Sequence, residues 1–110
     1  MSTKKDKFNR KDHFYMNLAL NLARERSGLT GENPSVGCVI VKNDEVISFG
    51  QTGFNGRPHA ECNAIRSCKK NLKGSKIYIS LEPCTHYGKT PPCSDIIIRS
   101  KIKEVVFSII

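Results

Sequence analysis

The sequence predicts an α/β fold: a mixed four-stranded sheet with helices on both faces, three layers in all, in the order αββαβαβ. Three observations carry this. Apolar residues recur at helical spacing over 14–23 and again over 60–68. Short β-branched or aliphatic runs stand at 38–41, 46–49, 76–81 and 105–110. Clusters of Gly, Pro, Asn and Asp separate these runs. The 110 residues, 38% hydrophobic and 25% charged, suffice for one domain of roughly 100–200 residues and not for two. No apolar run approaches the roughly 20 residues that span a bilayer, which excludes a helical membrane protein.

The first helix is expected from Asp12, a residue type that caps helix N-termini. Phe14, Leu18 and Leu22 repeat at i, i+4 and i+8, and Tyr15, Ala19 and Ala23 fill the next row, so one broad apolar stripe should face the core. Arg24 and Arg26 suit the C-terminal dipole, and Gly28 can take the left-handed stop. After the turn-rich Gly31 to Gly37, Cys38–Val41 and Val46–Phe49 read as a hairpin around Asn43-Asp44. Pro58 sits where a proline opens a helix, and the second helix is expected from His59 to about Lys70 with Ala60, Ala64, Ile65 and Cys68 inward. Lys76–Leu81 is the third strand, Cys93–Ser100 the third helix and Val105–Ile110 the fourth strand. The last three elements form a βαβ unit, so their two strands should run parallel. The chain stops at an apolar strand with no polar tail, which reads as a fragment.

Eighteen Lys+Arg against ten Asp+Glu leave a formal charge of +8, which favours anionic partners. Five of the basic residues (Lys4, Lys5, Lys7, Arg10 and Lys11) crowd the first eleven positions. Residues 1–11 are therefore expected to be a solvated arm ahead of a domain at 12–110. There is no Trp, and the few aromatics do not interleave with basic residues, which argues against a nucleic-acid surface. No export signal is visible at the start, so the cytoplasm is the expected compartment. Five cysteines there read as thiols, ligands or catalytic groups rather than disulfides. Cys38, Cys62 and Cys68 read as packing residues, with Cys62 facing the core.

The residues that carry chemistry are His59-Ala60-Glu61, Pro83-Cys84 and Cys93. Zinc prefers imidazole nitrogen and thiolate sulfur, and a catalytic zinc takes three protein ligands and leaves a fourth position open. His-x-Glu followed by Pro-Cys-x-x-Cys is the signature of zinc-dependent deaminases, in which the Glu moves protons and does not bind metal. Here eight residues, not two, separate the cysteines. Residues two apart in an ideal helix diverge by about 200° at roughly 100° per residue. His59 and Glu61 can therefore share a centre only on the first, irregular turn, where Pro58 should place them. Cys93, at a helix start, would have its thiolate favoured by the helix dipole.

Asn33-Pro-Ser-Val-Gly37, Gly56-x-Pro-His-Ala-Glu61 and the run from Leu81 to Cys93 (LEPCTHYGKTPPC) resemble the pyrimidine deaminases of riboflavin biosynthesis, within the cytidine deaminase-like superfamily. The eight-residue spacer belongs to that family, and the resemblance spans about 12–110. It implies hydrolytic deamination of 2,5-diamino-6-ribosylamino-4(3H)-pyrimidinone 5′-phosphate to 5-amino-6-ribosylaminouracil 5′-phosphate and ammonia. It implies zinc held by His59, Cys84 and Cys93, with Glu61 as proton shuttle. Asn33, His86, Lys89 and Thr90 are the implied substrate contacts. The family usually continues with a further strand and helix, then an NADPH-dependent reductase domain. None of that is in these 110 residues, so the reductase is expected fused downstream or as a separate protein. Self-association into a homo-oligomer is a further expectation. Two other function classes stay open at this point: a nucleic-acid or nucleoside base deaminase, and a non-catalytic zinc module in which His86 would close the metal's sphere.

Overall fold

The computed structural model describes residues 9–31, 35–56, 59–81 and 94–109. Helices α1 (Arg10–Glu25), α2 (Ala60–Ser67) and α3 (Ser94–Arg99) alternate with strands β1 (Val36–Lys42), β2 (Glu45–Gln51), β3 (Lys76–Leu81) and β4 (Glu104–Ile109), in the expected order. The sheet order is β2-β1-β3-β4. Strand β1 pairs antiparallel with both β2 and β3, and β3 pairs parallel with β4. Helix α1 covers one face over Val39, Val41 and Tyr78. Helices α2 and α3 share the other, over Val36, Cys38, Ile40, Ile77 and Ile79. The layering is α/β/α.

Helix α1 starts earlier than its sequence suggests. Asn9, not Asp12, is the N-cap. Its side chain accepts from the Asp12 amide, and the Asp12 carboxylate accepts from the Asn9 amide in return. This is a capping box, so Asp12 occupies the third helical position. Arg10 and Lys11, expected in the arm, lie in the helix.

The inward stripe is also rotated. Tyr15, Met16, Ala19, Leu20 and Ala23 are buried, Leu18 and Leu22 pack at the rim, and Phe14 is 58% exposed. The cause is the close approach at Gly37, where an added Cβ would stand 1.8 Å from the Ala19 carbonyl oxygen. The helix backbone rests on β1 along its alanines, and Phe14, about 160° round the helix from the Ala19–Ala23 line, turns outward. The C-cap is Arg26, with Gly28 in the left-handed region (φ 82°) two residues on.

The β1–β2 hairpin turns at Asn43 and Asp44, both with positive φ (53° and 62°), as a two-residue turn matched to strand twist requires. Helix α2 ends at Ser67, short of Lys70. Cys68 is its C-cap, and its thiol approaches the carbonyls of Ile47 and Lys70. Cys62 departs from expectation too. Buried positions of α2 are Ala60, Glu61, Ala64 and Ile65, so residue 62 falls off that stripe; it is half-buried and disulfide-bonded.

Candidate functional site

Strands β2 and β3 flank β1 and run in the same direction, so their ends open onto one edge of the sheet. Leu81 at the end of β3 lies opposite Val36, and Gln51 at the end of β2 lies opposite Gly37. Thr52, fully buried, closes this edge: its amide donates to the Val36 carbonyl (3.0 Å) and its hydroxyl accepts from the Val36 amide (2.9 Å). The chain then passes through a short 3-10 turn at Phe54–Gly56 and enters α2 at this same edge.

His59 is the N-cap of α2, with extended backbone (φ −75°, ψ 157°), and its ring makes no capping hydrogen bond. Its carbonyl accepts the first helical bond, from the Asn63 amide (3.0 Å). Glu61 follows in the first turn and is only 4% exposed. The expected irregular geometry is present: the imidazole leaves from a non-helical residue, and the carboxyl from the second helical one. Burial pushes the Glu61 carboxyl above its ordinary range, against the opposing pull of its own helix amide and of His59. A carboxyl raised in this way holds a proton more readily than an exposed one.

Beneath Glu61 lies Cys38, fully buried on β1. Its thiol is held protonated by burial first and by the Glu61 carboxylate second. Sequence reasoning treats Cys38 as ordinary core. Its place under the carboxyl follows from register: Cys38 pairs with Gly50, and Gly50 lies under α2, where an added Cβ would stand 2.5 Å from the Ala60 carbonyl oxygen.

Of the expected site residues, the structure brings His59 and Glu61 together. Cys84, Cys93, Asn33, His86, Lys89 and Thr90 lie outside the described residues. Among the described residues no three or more His, Cys, Asp or Glu side chains gather as a metal cluster. The one described residue of that donor set nonetheless fits a cation, because the His59 imidazole is not spent on capping. A cavity of about 280 Å³ at the opposite end of the sheet, lined by Asp12, Lys76, Tyr78 and Glu104, is unrelated to this edge. There Asp12 is paired with Lys76 (3.0 Å) and accepts from the Tyr78 hydroxyl.

Fold and first turn together define a deaminase-type frame. The chain belongs to the family described as the cytidine and deoxycytidylate deaminase zinc-binding region, which matches residues 9–109. Within it, the relatives carry riboflavin-biosynthesis names. The diaminohydroxyphosphoribosylamino-pyrimidine deaminase of Buchnera aphidicola (subsp. Schizaphis graminum) is 49% identical over 98 residues, covering 89% of this chain and 67% of its own length. The riboflavin biosynthesis protein RibD of Aquifex aeolicus is 50% identical over 95 residues, 86% of this chain and 27% of that protein. This chain therefore spans about a quarter of the longer relatives.

Among solved structures, RibD of Acinetobacter baumannii superposes with a TM-score of 0.77 at 41% identity, covering 91% of this chain and 28% of its own. The Thermotoga maritima deaminase, described as also a 5-amino-6-(5-phosphoribosylamino)uracil reductase, gives 0.73 at 44%, covering 86% and 28%. A cyanophage dCMP deaminase at 22% identity shares the fold, with a TM-score of 0.66 over 99% of this chain and 86% of its own. No helix among the described residues is long and apolar enough to cross a membrane.

Proposed function

We propose that this chain performs the hydrolytic deamination step of riboflavin biosynthesis. Water replaces the ring amino group of 2,5-diamino-6-ribosylamino-4(3H)-pyrimidinone 5′-phosphate, giving 5-amino-6-ribosylaminouracil 5′-phosphate and ammonia. The observation that carries this is Glu61, buried two residues after an N-cap histidine at the sheet edge where β2 and β3 both end. Its support is near-half identity to deaminases of that name and the eight-residue cysteine spacer.

In reduced protein, with the Cys62 disulfide opened, His59, Cys84 and Cys93 would hold zinc, one imidazole and two thiolates leaving a corner open. When bound, zinc supplies the Lewis acidity that makes hydroxide available at neutral pH. Glu61 takes the proton of the attacking water and delivers it to the leaving amine. The burial that raises its carboxyl lets it hold that proton between the two transfers. Asn33 would orient the pyrimidine, and His86, Lys89 and Thr90, between the two cysteines, would meet ring or phosphate. The formal +8 suits a phosphorylated substrate. A reductase consuming the product, fused or separate, completes the reading, as in the Thermotoga protein's description. A reducing cytoplasm would keep the thiolates available.

The test is Glu61→Gln in reduced, zinc-supplied protein. Zinc content should stay near one per chain while ammonia release falls on the order of 10²–10⁴-fold, the usual worth of a general acid–base group. Equal turnover in the variant, or ammonia from cytidine or tRNA in place of the diaminopyrimidine phosphate, overturns the reading.

A further inference from the structure

Helix α2 is tied to strand β2 at two points. The Ser48 hydroxyl donates to the Ala64 carbonyl (2.6 Å), and the Asn63 side-chain amide donates to the Gln51 carbonyl (2.8 Å). Between them Gly50 leaves the helix backbone room to settle on the sheet. Asn63 holds a further tie: its backbone amide donates to the His59 carbonyl, closing the turn that carries His59 and Glu61. Gln51 is itself braced, because its side-chain amide donates to the Leu22 carbonyl (2.9 Å) and to the Glu25 carboxylate (3.1 Å) of α1. A line of contacts thus runs from α1 through Gln51 and Asn63 to the first turn of α2.

We infer that Asn63 is a positioning residue: its carboxamide fixes the height and rotation of the first turn of α2, and with it His59 and Glu61, against strand β2. The inference rests on the deaminase reading of that turn. Its physical basis is independent of it. A helix of eight residues is shorter than the roughly 12–15 at which helices persist alone, so tertiary ties set its placement. Of the two ties, Asn63 joins the turn that bears chemistry and Ser48 joins the turn behind it. Truncating Asn63 leaves the Gln51 carbonyl without this donor and frees the catalytic turn to shift. Truncating Ser48 removes a comparable bond and loosens only the back of the helix.

The experiment compares wild type, Asn63→Ala and Ser48→Ala as full-length, reduced, zinc-loaded protein. It reads thermal midpoint, zinc per chain, kcat and KM for ammonia release, and the NMR resonances of the His59 ring. Both variants should lose a similar few degrees of midpoint. Asn63→Ala should lower kcat about 10–100-fold with KM within about 3-fold, the signature of misplaced groups rather than lost binding. It should also shift or broaden the His59 ring signals at near-stoichiometric zinc. Ser48→Ala should cost less than about 3-fold in kcat on the same grounds. Losses of kcat that simply track the thermal midpoint in both variants overturn the inference, as do His59 signals in Asn63→Ala that match wild type. A wild type that binds no zinc and releases no ammonia sinks the deaminase reading instead, and the His59 signals then still decide whether Asn63 positions the turn.

Discussion

Replacing Gly50 by alanine should damage both stability and turnover through one displacement. The new Cβ would stand 2.5 Å from the Ala60 carbonyl oxygen and 2.6 Å from the Ala64 nitrogen, and both neighbours are backbone that no rotamer change can clear. Ordinary contact begins at 3.4 Å, so α2 must withdraw by about 0.9 Å. Overpacking of this kind costs about 1–3 kcal/mol. At roughly 4–8 °C per kcal/mol for a domain of this size, the midpoint should fall by about 5–20 °C. The same withdrawal carries His59 and Glu61 away from the sheet edge, and a misplacement near 1 Å is worth on the order of 10²-fold in rate. Thermal unfolding and ammonia release at saturating substrate, with zinc content measured in parallel, read both effects. A Gly50→Ala protein with wild-type midpoint and wild-type kcat would refute the packing argument. A lowered midpoint with unchanged kcat would refute the link between α2 placement and chemistry.

Four other outcomes are expected. Asp12→Ala removes the partner of the Tyr78 hydroxyl and the Lys76 ammonium together with half of the capping box, and should cost about 2–4 kcal/mol in denaturant titration. Asp12 resists protonation: burial works to raise its carboxyl, but hydrogen bonds from Tyr78, Asn9 and Lys76 outweigh it and hold the group below its ordinary value. Stability from this network should be full above the unfolded carboxylate value near 4 and drain away as pH falls through the lower folded value; Asp12→Asn should flatten that part of the stability–pH curve. Ile40→Ala, at a fully buried position of the central strand, should cost about 2–5 kcal/mol, read as a lower denaturant midpoint. Removing zinc with a chelator should lower the thermal midpoint, and adding zinc back should restore it, because a ligand bound only by the folded state stabilises it; an unchanged midpoint would count against a bound ion.

The order of elements, the parallel β3–β4 pair and the limits of β3 were legible in the sequence, because β-branched runs bounded by turn residues leave little choice of period. The placement of His59 and Glu61 on an irregular first turn was legible from Pro58 and from the 200° argument. Two misreadings have a shared cause. Asp12 has the right side chain for an N-cap, and Phe14 has the right hydrophobicity for the core, but residue type does not report which turn comes first or which row meets the sheet. Those were decided by partners that residue type does not name: Asn9 answering Asp12 across one turn, and Gly37, remote in sequence, admitting the backbone of α1 along Ala19 and Ala23. Gly50 and Asn63 were invisible for the same reason, since nothing in either residue announces that one lies under α2 and the other reaches a strand carbonyl. The burial of Cys38 was expected; its vicinity to Glu61 needed the strand register.

The central strand imposes an order of assembly. Its hairpin with β2 closes through two residues, whereas its pairing with β3 joins residues no nearer in sequence than Val41 and Lys76. Short loops close at lower entropic cost than long ones, so the hairpin and the helix docked on it can mature while β3 is still unattached. The histidine and glutamate would then be in place before the cysteine-bearing stretch arrives. On that schedule the sheet edge that carries His59 and Glu61 is finished only when β3 pairs with β1.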